Sequence, residues 1–558
     1  MFNMFINSTK YSYIEPISKQ IITNVILKEY YGDIVASVGI FLMKNKASTL
    51  GIIKQGTSLD QKQVKQALCS LIQQNIVTFS QSRSGAIEYT SLPDTVISRL
   101  RYPRYIHCAK MLFGDAAELL IEEMLLQGQT DLNSAVVKVT NKLNESLAAS
   151  GSGMTEISQN LVKDKVTTLV KARLLRRCES VLRDKNNRVV AVQSSADPDV
   201  LFQLPSPQDF EATVGSKRHL PQSSEVSAKR VKLEPGIAVE SQVAQPSHIE
   251  GPGLWCVNVH QFHHHFRDQA IIAAVARHID QKAAEVVRTM LRLSETRTVP
   301  TSPESVALSF TEIYSALPKD KQIQKNTLDQ YLKCLSENCP SFMTKVGESG
   351  GGVYQINFMK AIKEICVSQI ETIVLERFGS KGLRMFRVLL ADRQVEHKQV
   401  DERAMLPPKE AREILFKMFD ENFITMTELS KTPDHVPART FYFFNVNLIQ
   451  VSRMLLEKCY MAAANVMIRR QKCISDNKRL LDKQDRVEAI IANLVAEGAT
   501  EQKEEIEQMV TPSEKVQLQK VGEATKMLEQ STIQLDNTIF ILESFLNYMM
   551  QPPPPPKR

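Results

Sequence analysis

The chain has 558 residues, 43% hydrophobic and 23% charged, which is typical of a globular protein with several domains rather than one core. Its formal net charge of +7 favours an acidic partner such as nucleic acid without specifying one. Nine cysteines without a C-x-x-C pair, no apolar run of about 20 residues and no secretory-type start predict a reduced, intracellular protein without a membrane span.

The first part of the chain has the element order of a winged helix. Ile21–Tyr30 and Ile34–Met43 are apolar periodic segments that predict helices. Another helix, with Thr57 or Ser58 as its N-cap, is predicted from apolar residues at helical spacing, namely Val64, Leu68, Leu71 and Ile72. The following "NIVTFSQSRSGAIEYT" contains two strand-like segments around a turn, which predicts the hairpin wing.

A connector, "LRYPRYI" from Leu100 to Ile106, follows this first domain. Its tyrosines and arginines have planar groups that could stack on the bases of a single strand. Buried tyrosines also commonly anchor joints between domains through the ring and the hydroxyl. The sequence favours the packed connector over the base-stacking surface.

The same order of helices and hairpin recurs three more times. The hairpins are predicted in "RLLRRCESVL" with "RVVAV", in "FMTKVGESGGGVYQINF" and in "FITMTELSKTPDHVPARTFYFFNV". The predicted fold class is therefore mainly α with small β-hairpin wings: four tandem winged-helix domains, two on each side of a linker, and a C-terminal antiparallel coiled coil. The coiled coil is predicted from apolar residues seven apart, namely Leu480, Val487, Leu494, Val521, Leu528, Leu535 and Leu542.

The linker from Pro205 to Pro252 is rich in Pro, Ser, Gln and Val and has no helical or strand periodicity, which predicts disorder. Two basic clusters ten residues apart have the spacing of a bipartite nuclear import signal, and their residues are Lys217, Arg218, Lys229, Arg230 and Lys232. "VKLE", around Lys232, also fits the pattern of a SUMO attachment site. The alternative is a solvated linker with incidental basic residues.

The predicted segments follow in chain order. They are an N-terminal extension (1–18), winged helix 1 (19–98), winged helix 2 (99–204), the linker (205–253), winged helix 3 (254–360), winged helix 4 (361–447), the coiled-coil hairpin (448–548) and a proline-rich tail (549–558).

The histidine-rich stretch "HQFHHHFRDQ" is the strongest candidate for a metal site. His260, His263 and His264 could share one helix face, and Cys256 precedes them by four residues. No second pair with finger spacing follows, and the chain has no HExxH, P-loop or G-x-S-x-G motif. We therefore expect a packing helix whose histidines face solvent, with no metal, no cofactor and no catalytic residue.

Several long motifs carry a family resemblance. "TSLDQKQVKQALCSLIQQNIV", "FHHHFRDQAIIAAVA", "VGESGGGVYQIN" and "NKRLLDKQDRVEAIIA" resemble the family of third-largest-type subunits of metazoan RNA polymerase III. That family is related to the alpha subunit of transcription factor IIE. The resemblance runs from about Ile21 to about Tyr548, and only the two ends and the linker depart from it.

The resemblance implies a noncatalytic polymerase subunit in the nucleus with four extended winged helices. It implies docking on the polymerase clamp, contact with the two partners of an initiation heterotrimer, binding of single- and double-stranded DNA, and help with promoter recruitment and DNA opening. Two other classes compete with this one. They are a winged-helix scaffold of the proteasome-lid or cullin kind, and a metal-dependent enzyme built around His260–His265.

Basic residues in the first two domains are the candidate nucleic-acid contacts. Lys62 and Lys65 are predicted on the third helix of the first domain and Arg83 on its wing. The second domain contributes a dense set, namely Lys163, Lys165, Lys171, Arg173, Arg176 and Arg177. Such a set presents positive charge to phosphates, although surface lysines are often only solvated.

Overall fold

The computed structural model describes residues 16–45, 47–82, 85–149, 158–183, 189–193, 198–210, 253–295, 297–298, 302–318, 323–337, 342–392, 394–431, 440–497 and 509–550. These divide into two compact units. The N-terminal unit comprises residues 45–98 and 102–261, and the C-terminal unit comprises residues 16–44, 99–101 and 262–550. No helix among the described residues is both long and apolar enough to cross a bilayer.

The helices and strands are numbered in chain order. The helices are α1 (Ile17–Lys44), α2 (Leu50–Thr57), α3 (Gln61–Gln73), α4 (Pro93–Ile97), α5 (Tyr102–Phe113), α6 (Asp115–Gln127), α7 (Leu132–Ala149), α8 (Gln159–Lys171), α9 (Val259–His278), α10 (Gln281–Ser294), α11 (Phe310–Ala316), α12 (Lys325–Glu337), α13 (Phe358–Ala391), α14 (His397–Ala404), α15 (Pro408–Asp420), α16 (Leu448–Asp476), α17 (Lys478–Glu497) and α18 (Pro512–Met550). The strands are β1 (Ser48–Thr49), β2 (Val77–Gln81), β3 (Ile87–Ser91), β4 (Leu175–Arg177), β5 (Ser180–Arg183), β6 (Val189–Gln193), β7 (Trp255–Val257), β8 (Leu308–Ser309), β9 (Met343–Gly347), β10 (Val353–Ile356), β11 (Val395–Glu396), β12 (Thr425–Ser430) and β13 (Thr440–Asn445).

The N-terminal unit contains the first winged-helix sheet, with strand order β1-β3-β2. Its third helix, α3, buries Val64, Leu68 and Leu71 as its periodicity predicts. The predicted N-cap at Thr57 or Ser58 is wrong. Asp60 caps α3 in a reciprocal capping box with Gln63, because it directly precedes the first turn, whereas α2 ends at Thr57.

The second winged helix completes its sheet with a strand from the far side of the predicted linker. β4 pairs antiparallel with β7, so that Arg176 lies opposite Cys256, and β7 also forms a bridge from Trp255 to Thr130. The predicted hairpin of "RLLRRCESVL" with "RVVAV" is present as the pairing of β5 with β6, but these two strands form a separate two-stranded sheet. Residues 178–254 are therefore an insert in the second wing, and residue 254 is not the start of the third domain.

The C-terminal unit contains the third and fourth winged-helix sheets. Their strand orders, β8-β10-β9 and β11-β13-β12, repeat the order of the first sheet. Both hairpins are in the predicted segments. A continuous apolar core joins these domains to the end of α18 through residues such as Phe358, Phe386 and Leu542, all buried. Burial of such side chains is the main stabilising contribution to a unit of this size.

A long helical hairpin completes the C-terminal unit. α18 runs antiparallel to α16 and α17, as side-chain bonds from Tyr460 to Glu543 and from Lys483 to Glu514 show. The antiparallel arrangement is confirmed. The prediction of two long helices is incomplete, because α18 faces two consecutive helices, α16 and α17, which are separated at Asn477.

The first helix of three winged helices begins after an aromatic-glycine pair. Gly32, Gly114 and Gly379 have φ of 81°, 88° and 72° with ψ near 180° (176°, −176° and −176°). Only glycine occupies this backbone region at low cost. The glycine therefore divides α1 at Gly32 and α13 at Gly379 into two helical parts at a kink, and it separates α5 from α6 at Gly114. In the third domain Asp280 starts α10 instead, with its side chain accepting a bond from the Ala283 N–H.

Replacing Gly379 by alanine should destabilise the C-terminal unit by about 1–3 kcal/mol, because a Cβ forces the backbone out of a glycine-only conformation. No atom lies within 4 Å of the position of that Cβ, so the effect reports backbone strain and not a clash. Thermal unfolding followed by circular dichroism measures it. Gly522→Ala in α18 is the matched control, because space around it is equally open and alanine favours a helix. Equal melting temperatures for the two variants would contradict the assignment.

Candidate nucleic-acid interface

The third helices of the four winged helices differ in charge. α3 carries two lysines and no acidic residue, and α8 carries three lysines and one aspartate. α12 has two lysines against one aspartate and one glutamate, and α15 has three basic against three acidic residues. Positive charge on a helix that faces phosphates raises affinity in a salt-dependent way. The excess of positive charge is confined to the third helices of the N-terminal unit.

The candidate residues of the first domain lie on an open helix face. Lys62 and Lys65 are exposed, three residues apart on α3, so both project from one side of the helix. The structure places no acidic side chain of α3 beside them, since the helix has none. Arg83, the third predicted contact, lies outside the described residues.

An apolar cavity of about 660 Å³ lies beside this face. Leu68, Ile72, Tyr89 and Leu254 contribute to its lining, with Lys65 beside them. Burial raises the pKa of the Tyr89 hydroxyl, so Tyr89 stays neutral at physiological pH. The first winged helix thus places an apolar recess next to its lysines.

The lysines of the second domain have contacts within the N-terminal unit. Lys163 lies over the Phe210 ring, 5.4 Å from its centroid, and Lys165 donates a hydrogen bond of 3.1 Å to the carbonyl of Phe113. Lys171 is exposed at the end of α8. Only Lys171 of these three keeps an exposed side chain for a phosphate.

The arginines of the second domain hold the base of the wing insert. Arg173 lies over the Phe202 ring at 5.3 Å, and Arg177 lies over the Trp255 ring at 5.2 Å. Arg176 forms a side-chain hydrogen bond with Cys256. These packed positions give Arg173, Arg176 and Arg177 structural contacts, and their binding of DNA stays a prediction.

Asp209 joins the two ends of the insert. Its buried carboxylate accepts bonds from the Arg177 guanidinium at 2.7 Å, from the Ser206 N–H at 2.8 Å and from the Gly253 N–H at 3.4 Å. The predicted linker therefore begins too early, because residues 205–210 are bound to the domain through Asp209. The predicted import signal and Lys232 lie outside the described residues.

The connector is packed, which confirms the favoured interpretation of "LRYPRYI". Tyr105 is fully buried. Arg101 belongs to the C-terminal unit, where its guanidinium bonds to Asp536 at 2.8 Å and to Glu543 at 2.6 Å. Arg101 and Asp536 are 3% and 0% exposed, and the Tyr460 hydroxyl donates to the other Glu543 oxygen at 2.7 Å.

The histidine-rich helix α9 uses its rings for packing. The ring centroid of His263 lies 5.5 Å from that of Phe540, and His265 lies 6.3 Å from Phe266. Burial lowers the pKa of His265. The expectation that all the histidines face solvent is therefore wrong for His263 and His265. Among the described residues, no three metal-ligating side chains are grouped to hold a metal ion.

The fourth winged helix exposes apolar rather than basic residues. Phe416 and Phe419 are 64% and 39% exposed and three residues apart on α15, and Met405 just before the helix is 84% exposed. On the wing, Leu429 is 59% exposed. Exposed aromatic and aliphatic side chains of this kind are typical of surfaces that bind protein. A search of the sequence for basic residues alone misses this surface.

The fold and these surfaces define a tandem winged-helix protein with a C-terminal helical hairpin. Four family models match it in chain order. They are "RNA polymerase III subunit RPC82 helix-turn-helix domain" (residues 22–82), "RNA polymerase III subunit RPC82" (164–365), "POLR3C, C-terminal winged-helix domain" (370–446) and "DNA-directed RNA polymerase III subunit RPC3, helical hairpin domain" (479–541).

Relatives match along almost the whole chain. DNA-directed RNA polymerase III subunit RPC3 of Bos taurus is 40% identical, and that of Homo sapiens is 39% identical, each over 95% of this chain and 98% of the relative. The rpc3 subunit of Dictyostelium discoideum is 27% identical over 52% of this chain and 43% of the relative. The chain belongs to the RPC3 family of RNA polymerase III subunits.

Replacing Arg101 by methionine should destabilise the C-terminal unit by about 3–5 kcal/mol, because it removes the guanidinium that pairs with the buried carboxylate of Asp536. Thermal unfolding and amide hydrogen exchange along α18 measure the loss. Arg387→Met is the control, since Arg387 pairs with Glu371 while 59% exposed, and an exposed pair contributes less than about 1 kcal/mol. Equal effects of the two substitutions would contradict a special role for Arg101.

Proposed function

We propose that the chain is a noncatalytic subunit of DNA-dependent RNA polymerase III and part of its initiation heterotrimer. It acts in the nucleus, where it binds DNA and partner subunits through its winged helices. In this role it supports promoter recruitment and DNA opening for the transcription of small non-coding RNAs. The support is the near full-length similarity to RPC3 subunits together with the winged-helix architecture.

The observation that most directly supports this division of roles is the unequal charge of the third helices of the winged helices. α3 has lysines without a single acidic residue, whereas α15 is balanced in charge and exposes Phe416 and Phe419. A winged helix can present its third helix to phosphates or to protein. The first winged helix therefore faces nucleic acid through Lys62 and Lys65, and the fourth faces a protein surface such as the polymerase clamp.

The noncatalytic role is supported by the chain's sequence, which has no nucleotide-binding or metal-binding motif of a polymerase. The competing scaffold class would place one winged helix after an array of helical repeats. Three sheets of the same strand order argue for tandem winged helices instead.

Nuclear location is proposed on the basic clusters around Lys217 and Lys229. They belong to the insert whose two ends Asp209 joins.

Reversing the charges of Lys62, Lys65 and Arg83 together should weaken binding of the full chain to DNA and reduce its salt dependence. The slope of log affinity against log salt should fall by about 1 for each residue that contacts a phosphate. Fluorescence anisotropy with a labelled duplex and a bubble duplex across a salt series measures both.

Lys515→Glu with Lys520→Glu is the matched control, because both lysines are exposed on α18. The control should retain the wild-type slope. Its affinity should change only slightly, and by the same factor at every salt concentration. If the triple variant and the wild type have the same slope, the first winged helix does not contact DNA through these residues.

Replacing Phe416 and Phe419 by alanine should lower the recovery of polymerase subunits with the tagged chain by at least about tenfold, since buried aromatic anchors dominate protein interfaces. The double variant Val516→Ala with Met527→Ala removes exposed apolar side chains of α18 and should retain wild-type recovery. Unchanged recovery with the phenylalanine variant, while its melting temperature stays that of the wild type, would exclude this face as the docking surface.

A further inference from the structure

Two cysteines of the second winged helix face each other across the strands that bound the insert. Cys256 lies in β7 opposite Arg176 of β4. Cys178 follows β4 directly, and its N–H donates to the Leu254 carbonyl at 2.7 Å, so the antiparallel register continues to this pair. Residues 176 and 178 point to the same face of a strand. Cys178 and Cys256 are therefore diagonal neighbours on one face of the ladder.

The two side chains are in contact. The thiols of Cys178 and Cys256 share a hydrogen bond, and the Arg176 side chain also hydrogen-bonds to Cys256. Cys256 is 3% exposed, whereas Cys178 is partly exposed. Cys178 is therefore the more exposed residue of the pair.

The surroundings favour loss of one proton from the pair. The hydrogen bond from Cys178 and the positive charge of Arg176 lower the pKa of Cys256 to about 7, although burial acts in the opposite direction. The same hydrogen bond, together with burial, raises the pKa of Cys178, so the proton that stays on the pair rests on Cys178 and is shared with Cys256. Burial instead raises the pKa of the thiols of Cys108, Cys366 and Cys459 to about 11. Because the thiolate is the reactive form, these three stay inert while the pair does not.

We propose that Cys178 and Cys256 are a redox modification site, a reversible dithiol that a small-molecule disulfide of the glutathione type converts to an internal disulfide. The shared proton passes to Cys256, and the Cys178 thiolate attacks one sulfur of the small disulfide. A mixed disulfide forms and one small thiolate leaves. Cys256 then loses its proton and attacks the Cys178 sulfur, which releases the second small thiolate. Two protein thiols are oxidised, one small disulfide is reduced, and the two protons end on the two released thiols.

The disulfide would close the base of the insert covalently. In the reduced chain the insert is held there by the β4–β7 ladder and by Asp209. A crosslink between residues 178 and 256 adds a bond that closes a long loop, which restricts the unfolded chain. The reduced state prevails in a reducing compartment, and the disulfide forms when the thiol pool becomes oxidised.

The test equilibrates the purified full chain in anaerobic buffers of graded glutathione to glutathione-disulfide ratio. Free thiols are blocked in acid, and linked peptides are identified by mass spectrometry. The expected result is a Cys178–Cys256 peptide that rises with oxidation, returns to dithiol on reduction, and raises the melting temperature by several degrees. Cys178→Ser and Cys256→Ser should lack both the peptide and the shift. Cys69→Ser, at an exposed cysteine, should keep both.

Arg176→Gln and Arg176→Lys test the activation of the pair. The glutamine variant should react at least severalfold more slowly at pH 7 and recover at pH 9, where the thiolate forms without help. The lysine variant should retain most of the rate at pH 7. The proposal is overturned if the most oxidising buffer yields no Cys178–Cys256 peptide, or if Cys178 accumulates as a stable mixed disulfide with glutathione.

Discussion

The buried guanidinium of Arg101 is the interaction on which the C-terminal unit most depends. It bonds to Asp536, which is fully buried, and to Glu543, and it lies 5.2 Å from the centroid of the Phe540 ring. A buried charge is tolerated only when it is paired and hydrogen-bonded. Because Asp536 and Glu543 are both on α18, the network fixes that helix against residues 99–101 of the same unit, and Tyr460 extends the network to α16. The long hairpin is thereby joined to residues 435 positions earlier in the chain.

A second constraint is the interrupted wing of the second winged helix. A three-residue strand, β4, is completed by β7 from beyond the insert. Asp209 and its partners Arg177, Ser206 and Gly253 hold the two ends together. Arg173 and Arg177, which the sequence suggests as DNA contacts, pack at the base of the insert. Arg173 lies over the Phe202 ring, and Arg177 lies over the Trp255 ring and bonds to the buried Asp209. Contacts of a guanidinium with an aromatic ring or a buried carboxylate are stabilising. The first winged helix, with Lys62 and Lys65 exposed on α3, is the face that we propose for nucleic acid.

The sequence predicts most helices and hairpins because each depends on local periodicity. The apolar face of α3, the wings of the first, third and fourth domains and the antiparallel hairpin follow from spacing alone. The pairing of β4 with β7 does not, since both strands have only three residues and the partner lies beyond a segment without periodicity. "RVVAV" has a clear local strand pattern, and its predicted hairpin with the end of "RLLRRCESVL" is confirmed by the pairing of β5 with β6. By contrast, one sequence gives no sign that Arg101 pairs with Asp536. The apolar face of α15 can be predicted from Phe416 and Phe419 only when charge is not the sole criterion.

The winged helices of this chain thus have different surfaces on one repeated architecture. A lysine face and an apolar face suit a protein that connects nucleic acid to a larger protein machine. The most direct test is to purify the tagged chain from nuclear extract through a high-salt wash, which removes associations held by exposed charge, and to quantify the co-purifying proteins by mass spectrometry. The account predicts RNA polymerase III subunits in amounts equal to the chain. Recovery of the chain alone, or with proteasome-lid or cullin partners, would contradict it.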